Sequence, residues 1–90
     1  MSIKKEKDKD NDFIQKLSKR IKQLRIIKGY TSYEYFAYDH GISRSQYGRY
    51  EKGEDLRVSS LIKLIEAFEL TPSDFFKEGF ETEKKTSESK

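Results

Sequence analysis

Arg44, Ser45, Gln46 and Arg49 place four polar side chains within six residues, and their types suit hydrogen bonding to the edges of base pairs. An Arg guanidinium donates two parallel hydrogen bonds to O6 and N7 of guanine, a discrimination of roughly 1–3 kcal/mol per pair. A helix wound from Arg44 at about 100° per residue puts Gly48 at about 40°, Ser45 at about 100° and Arg49 at about 140°, with Tyr50 at about 240° and Tyr47 at about 300°. One face therefore carries Arg44, Ser45 and Arg49 around the bare Gly48, and the other turns two aromatic rings toward a core. Gln46, at about 200°, stands at the boundary, within reach of a base edge or a phosphate. Gly costs a helix interior about 1 kcal/mol relative to Ala, and the outward place of Gly48 points to a close approach of DNA as the compensation.

Other chemistries find no residues. The chain has no Cys and one His, which removes disulfide frameworks, zinc sites and thiol nucleophiles. His40 has no second ligand nearby in sequence and reads as an exposed or capping side chain in a turn. Enzymatic sites need converging groups in a pocket, and a bundle of about 65 residues with this composition supplies neither, so no catalytic residue, cofactor or metal is expected. The six tyrosines all lie between Tyr30 and Tyr50 and suggest a stacking platform for single strands, but the inward positions of Tyr47 and Tyr50 make core packing the better account.

The elements that position these side chains are helices, since no alternating apolar pattern of useful length competes. Asp12 is a suitable N-cap for a first helix with Phe13, Ile14, Leu17, Ile21, Leu24 and Ile27 at helical spacing, ended by Gly29. Ser32 caps a short second helix that turns Tyr35, Phe36 and Tyr38 inward until His40-Gly41 stops it. Ser43 caps a third, running from Arg44 to Lys52 and stopped by Gly53. A fourth begins near Ser59 with the stripe Leu61, Ile62, Leu64, Ile65 and Phe68, and Thr71-Pro72-Ser73-Asp74 opens a brief fifth that reaches about Lys77.

With 90 residues, 33% hydrophobic and 39% charged, the chain holds about one domain, and its core must come from the middle. Residues 1–11 alternate Lys with acids and read as a disordered charged arm, residues 12–78 form the domain, and residues 79–90 read as a disordered polar tail. Net charge is only +3, yet residues 13–53 hold nine basic side chains against three acidic, the local surplus expected of a nucleic-acid surface. No signal peptide or membrane span is legible, which gives the expectation of a soluble, cytoplasmic protein with no membrane partner.

Two short helices joined by Gly41-Ile42-Ser43 have the arrangement of a helix-turn-helix. Arg20-Ile21-x-x-Leu24-Arg25, Lys28-Gly29, Ser32, Phe36-Ala37, Gly41-Ile42-Ser43 and Arg49-Tyr50-Glu51-Lys52-Gly53 together resemble the Cro/repressor-type (XRE family) helix-turn-helix domain over roughly residues 13–76. The resemblance implies an all-α, five-helix fold and sequence-specific binding of double-stranded DNA by a small transcriptional regulator, with helix three reading bases through Arg44, Ser45, Gln46 and Arg49. It also implies a homodimer on DNA, with half-sites about 34–36 Å apart. Phosphate contacts need only donors, and the candidates are Ser32, Tyr33, Ser43, Lys52 and Arg57. Glu51 resembles the family's structural Glu and Arg25 its partner, a pair assigned to folding. Two features depart from the family: Tyr33 stands where Gln is common, and Glu54-Asp55 bring carboxylates into a loop that is often basic.

The alternative, from a different class, is a protein-interaction module, antitoxin-like or a regulatory subunit, that meets a partner protein through the helix-five end and Phe80.

Overall fold

The computed structural model describes residues 2–80, with side chains described from Asp12 onward, so the expected polar tail over residues 81–90 lies outside the described residues. Five helices follow in chain order: α1 (Ser2–Ile27), α2 (Tyr33–Asp39), α3 (Arg44–Lys52), α4 (Val58–Ala67) and α5 (Pro72–Phe75), and the described residues contain no strand.

Helix α1 begins at Ser2 and not at Asp12. Lys and Glu are good helix formers, no Gly or Pro interrupts the segment, and adding a residue to an existing helix needs no new nucleus, so α1 continues through the charged stretch. Asp12 is thus an interior residue of α1, paired with Lys16 at 3.6 Å, and not a cap. The other caps match their side chains. Ser32 Oγ accepts from Glu34 N, Ser43 Oγ from Gln46 N, and Thr71 Oγ1 from Asp74 N, each satisfying a donor that the helix itself leaves without a partner. Helix α4 starts after Arg57 with no side-chain cap.

The core joins Leu17, Ile21 and Leu24 of α1, Phe36 and Ala37 of α2, Tyr47 and Tyr50 of α3, Leu64 and Ile65 of α4, and Phe68 and Phe75 beyond. Phe36 is its hub: it stacks on Phe68 with centroids 5.1 Å apart, contacts Tyr47 at 5.2 Å, and receives Tyr30 edge-on at 5.2 Å. Such ring pairs each add about 0.5–1.5 kcal/mol beyond the area they bury, which lets a short chain close with few aliphatic residues.

Several apolar-face positions of the sequence reading are exposed in the structure, Phe13 and Ile62 among them. Tyr35 and Tyr38 are 69% and 82% exposed, because the spacing 33, 36, 37 and 40 is the one that faces α3 and the core, and it leaves 35 and 38 outside. Ile27 is also exposed, while Arg25 takes the buried position in the last turns of α1. Phe80, the last described residue, packs on the core, with its ring 5.5 Å from Phe13 and 4.9 Å from Phe76.

Arg20 is buried and fastens α5 to α1: its Nε donates to Phe75 O at 2.7 Å and its Nη2 to Asp74 O at 2.8 Å, with the guanidinium 5.8 Å from the Phe75 ring centroid. Hydrogen bonds from a charged group contribute about 1.5–3 kcal/mol, and losing this one leaves two carbonyls short of a donor. Arg20→Met, which keeps most of the apolar stem, is expected to lower stability by about 2–4 kcal/mol by urea denaturation. An unchanged midpoint would mean that water replaces the guanidinium at no net cost.

Candidate nucleic-acid interface

Helix α3 has two sides of opposite character. Tyr47 and Tyr50 are buried on one, and Arg44, Ser45, Gln46, Arg49 and Lys52 are exposed on the other, where Gly48 alone among the strip positions is also buried. Continuing the winding brings Lys52 to about 80°, between Gly48 and Arg49, so Ser45, Arg49 and Lys52 form one strip along the axis with Arg44 at its edge. The fold brings all four predicted base-reading residues to one solvent-facing helix surface. Gln46 lies on the opposite edge of that strip, where it lines a groove shared with Ser60 and Lys63 of α4.

The turn that presents α3 is short. Gly41 adopts φ +66°, a left-handed conformation that side chains rarely tolerate, and Ile42 N donates to Ala37 O at 2.9 Å while the Ile42 side chain packs on the core. Ser43 is exposed, and its hydroxyl is held by Gln46 N and lies 3.3 Å from Ser45 Oγ.

Of the other phosphate candidates, Arg57 is exposed in front of α4 and lines the same groove as Arg49, Lys63 and Gln46. Ser32 is committed elsewhere: its hydroxyl accepts from Glu34 N at 3.2 Å and donates to Glu34 Oε1 at 3.0 Å, which leaves it no proton for a phosphate. The Glu34 carboxylate at the start of α2, acceptor-only when ionised, was not singled out by the sequence reading. Asp55 turns one carboxylate oxygen back to Leu56 N at 2.8 Å, which organises the α3–α4 loop. Tyr33 is partly buried against Tyr47 and against Gly48. Gly48 itself is covered by that ring, so its expected close approach to DNA is replaced by a close approach of Tyr33.

Lys63 is the cation that sequence reasoning missed. It is the only basic residue within α4, and that isolation between apolar neighbours was the available signal. Only the packing of α4 beside α3 brings it to the groove that Gln46 lines.

Behind the strip, Arg25 Nε and Nη2 donate to Glu51 Oε2 at 2.8 Å and Oε1 at 3.0 Å, while Nη1 donates to Tyr30 O at 2.8 Å. Tyr47 Oη donates to Glu51 Oε2 at 2.6 Å, so a single carboxylate takes donors from α1 and α3. The Glu51 hydrogen bond raises the Arg25 pKa above its ordinary value despite burial, and the Tyr47 phenol is pushed up, first by burial and then by Glu51. The Tyr30 phenol is raised by its hydrogen bond to Asp39.

A fold of five helices with a short Gly turn before an exposed basic helix defines a helix-turn-helix protein. A helix-turn-helix family model matches residues 21–75, more than half of the chain, and the chain belongs to that family in its Cro/repressor (XRE) type. The family is one of DNA-binding regulators and not of enzymes. No curated protein and no solved structure matches the chain. Among the described residues, no helix is long and apolar enough to cross a membrane.

Removing either partner leaves the other as an uncompensated buried charge, so Arg25→Ala and Glu51→Ala are each expected to cost about 3–5 kcal/mol in chemical denaturation at neutral pH. A folded pKa raised above the unfolded one favours the protonated, folded form, so the Tyr47 contribution is complete below pH 10.0, the ordinary tyrosine value, and is lost as pH rises beyond it. Stability should therefore fall above that pH, and Tyr47→Phe, although weaker at neutral pH, should show a shallower alkaline decline in thermal melts.

Proposed function

We propose that the protein is a small transcriptional regulator that binds a specific double-stranded DNA sequence by laying α3 in the major groove. The observation that carries this reading is the α3 strip itself: Arg44, Ser45, Gln46 and Arg49 exposed on a helix whose other side is anchored by buried Tyr47 and Tyr50. A rigid helix presenting Arg, Ser and Gln offers donors to guanine and acceptor–donor pairs to other bases without reordering its backbone.

In this reading Arg44 and Arg49 read guanines, and Ser45 and Gln46 meet neighbouring base edges. Phosphate contacts come from Tyr33, Ser43, Lys52 and Arg57, with Lys63 added from α4. Ser32 acts through the α2 cap, since its hydroxyl is held by Glu34. Two copies on a two-fold axis place half-sites one duplex turn apart, about 34–36 Å. A cytoplasmic location fits a DNA target. The alternative of a protein-partner module gains no support from Phe80, whose ring packs against Phe13, Phe75 and Phe76.

Selection of retained sequences from a random duplex library at about 0.1 M salt tests the proposal. An enriched inverted repeat with guanine in each half-site is the expected result, and absence of retention even at low salt would overturn it. On the selected site, Arg44→Ala should relax base preference at one position, a loss of about 1–3 kcal/mol. Lys52→Ala should weaken all sequences alike and reduce the slope of log K against log salt by about 1.

A further inference from the structure

Gly48 is buried although it lies well away from Tyr47 and Tyr50 around the α3 axis. Its cover is Tyr33, the first residue of α2: a Cβ on Gly48 would stand 3.2 Å from Cε1, 3.2 Å from the hydroxyl oxygen and 3.3 Å from Cζ of that ring. These atoms form the far end of the side chain, so the ring spans from α2 to the α3 backbone and sets its phenol tip there. The inner side of the ring leans on Tyr47, with centroids 6.1 Å apart and planes 30° apart.

Arg44 and Ser45 lie one turn before Gly48 on the same flank of α3, so the phenol tip borders the strip assigned to base reading. Tyr33 is partly exposed, and its hydroxyl forms no hydrogen bond to any described residue. A donor without a protein partner, held at the rim of a basic surface, is suited to a phosphate oxygen.

We infer that Tyr33 and Gly48 form a matched pair in which Gly48, without touching the nucleic acid, seats the Tyr33 hydroxyl against α3 so that it donates a hydrogen bond to a backbone phosphate of duplex DNA. The inference rests on the DNA-binding reading above. Gly48 is a positioning residue: a Cβ there meets the phenol at tighter than ordinary contact, so the ring end must give by a few tenths of an ångström and the hydroxyl shifts with it. The helix tolerates a poor helix former at its centre because the bare backbone is the seat of the ring.

The test is a double-mutant cycle of Tyr33→Phe and Gly48→Ala in the full chain. Binding is measured to a random-sequence duplex of about 30 base pairs across a salt series, because phosphate contacts do not depend on sequence. Tyr33→Phe should weaken binding roughly five-fold, the size of one hydrogen bond. Gly48→Ala should weaken it in the same direction, with a thermal melt showing that the variant is fully folded under the binding conditions, so that the loss is not one of folding. The double variant should bind no worse than Tyr33→Phe alone, as the lost contact is the same one. A phenol displaces no counterion, so the salt slope should be unchanged, unlike that of Lys52→Ala.

Equal binding by the parent and Tyr33→Phe would overturn the pair and leave DNA binding intact. Losses that multiply in the double variant would show Gly48 acting independently and would also overturn it. Failure of the parent to bind duplex at about 50 mM salt would overturn the DNA reading, and this inference with it.

Discussion

The interaction on which the rest depends is the pairing of Arg25 with Glu51 beneath α3. Both side chains are withdrawn from water, with fractional exposures of 6% and 9%, in a domain that has little apolar surface with which to offset an unpaired charge. The geometry meets that demand. The guanidinium makes two parallel bonds to the carboxylate and a third to Tyr30 O, and the carboxylate takes a further donor from Tyr47. Because Arg25 belongs to α1, Tyr30 to the connection before α2, and Tyr47 and Glu51 to α3, one buried cluster specifies how three elements meet. A fork of fixed hydrogen bonds sets the position of α3 more closely than nonspecific apolar contact does.

Around this cluster the core is unusually aromatic. Phe36 gathers Tyr30, His40, Tyr47 and Phe68 about itself, and Tyr47 and Tyr50 fill the inward positions of α3. Buried tyrosines need their polar ends satisfied. The Tyr47 hydroxyl ends on Glu51, so the ring that fills the core also joins the ion pair, and packing and electrostatics are coupled through one side chain. Ser18 adds a second tie, donating to Tyr50 O at 2.6 Å and fixing the α3 backbone to α1 from the other side.

At the surface the same economy recurs. The α3 strip, the groove containing Gln46 and Lys63, and the Tyr33 ring over Gly48 are adjacent, so α3, Lys63 of α4 and the start of α2 share one face. Carboxylates share this face: Glu54 and Asp55 line the groove with Arg57 and Lys63, and Glu66 lines its continuation along α4. Glu34 accepts the Ser32 hydroxyl hydrogen, and Asp55 accepts from Leu56 N, so each is partly engaged in local structure.

Much of the fold was legible in the residues, because local rules govern it. Ser32, Ser43 and Thr71 act as the caps their side chains suit, Gly41 and Gly53 take the left-handed conformations that end α2 and α3, and α3 divides by period into an anchored and an open side. What local rules did not reach were contacts between residues far apart in sequence. Periodicity does not tell which of three faces of a seven-residue helix turns inward, so Tyr35 and Tyr38 were misplaced. Nor does it reveal that Arg20 holds the carbonyls of α5, that Lys63 arrives beside Gln46, or that the Tyr33 ring of α2 covers Gly48. The sequence by itself determined the helices, most of their ends apart from the start of α1, and the chemical character of α3, since capping, turn formation and periodicity act within a few residues. The tertiary structure alone decided which side chains share a surface, since that depends on crossing geometry summed over the whole core.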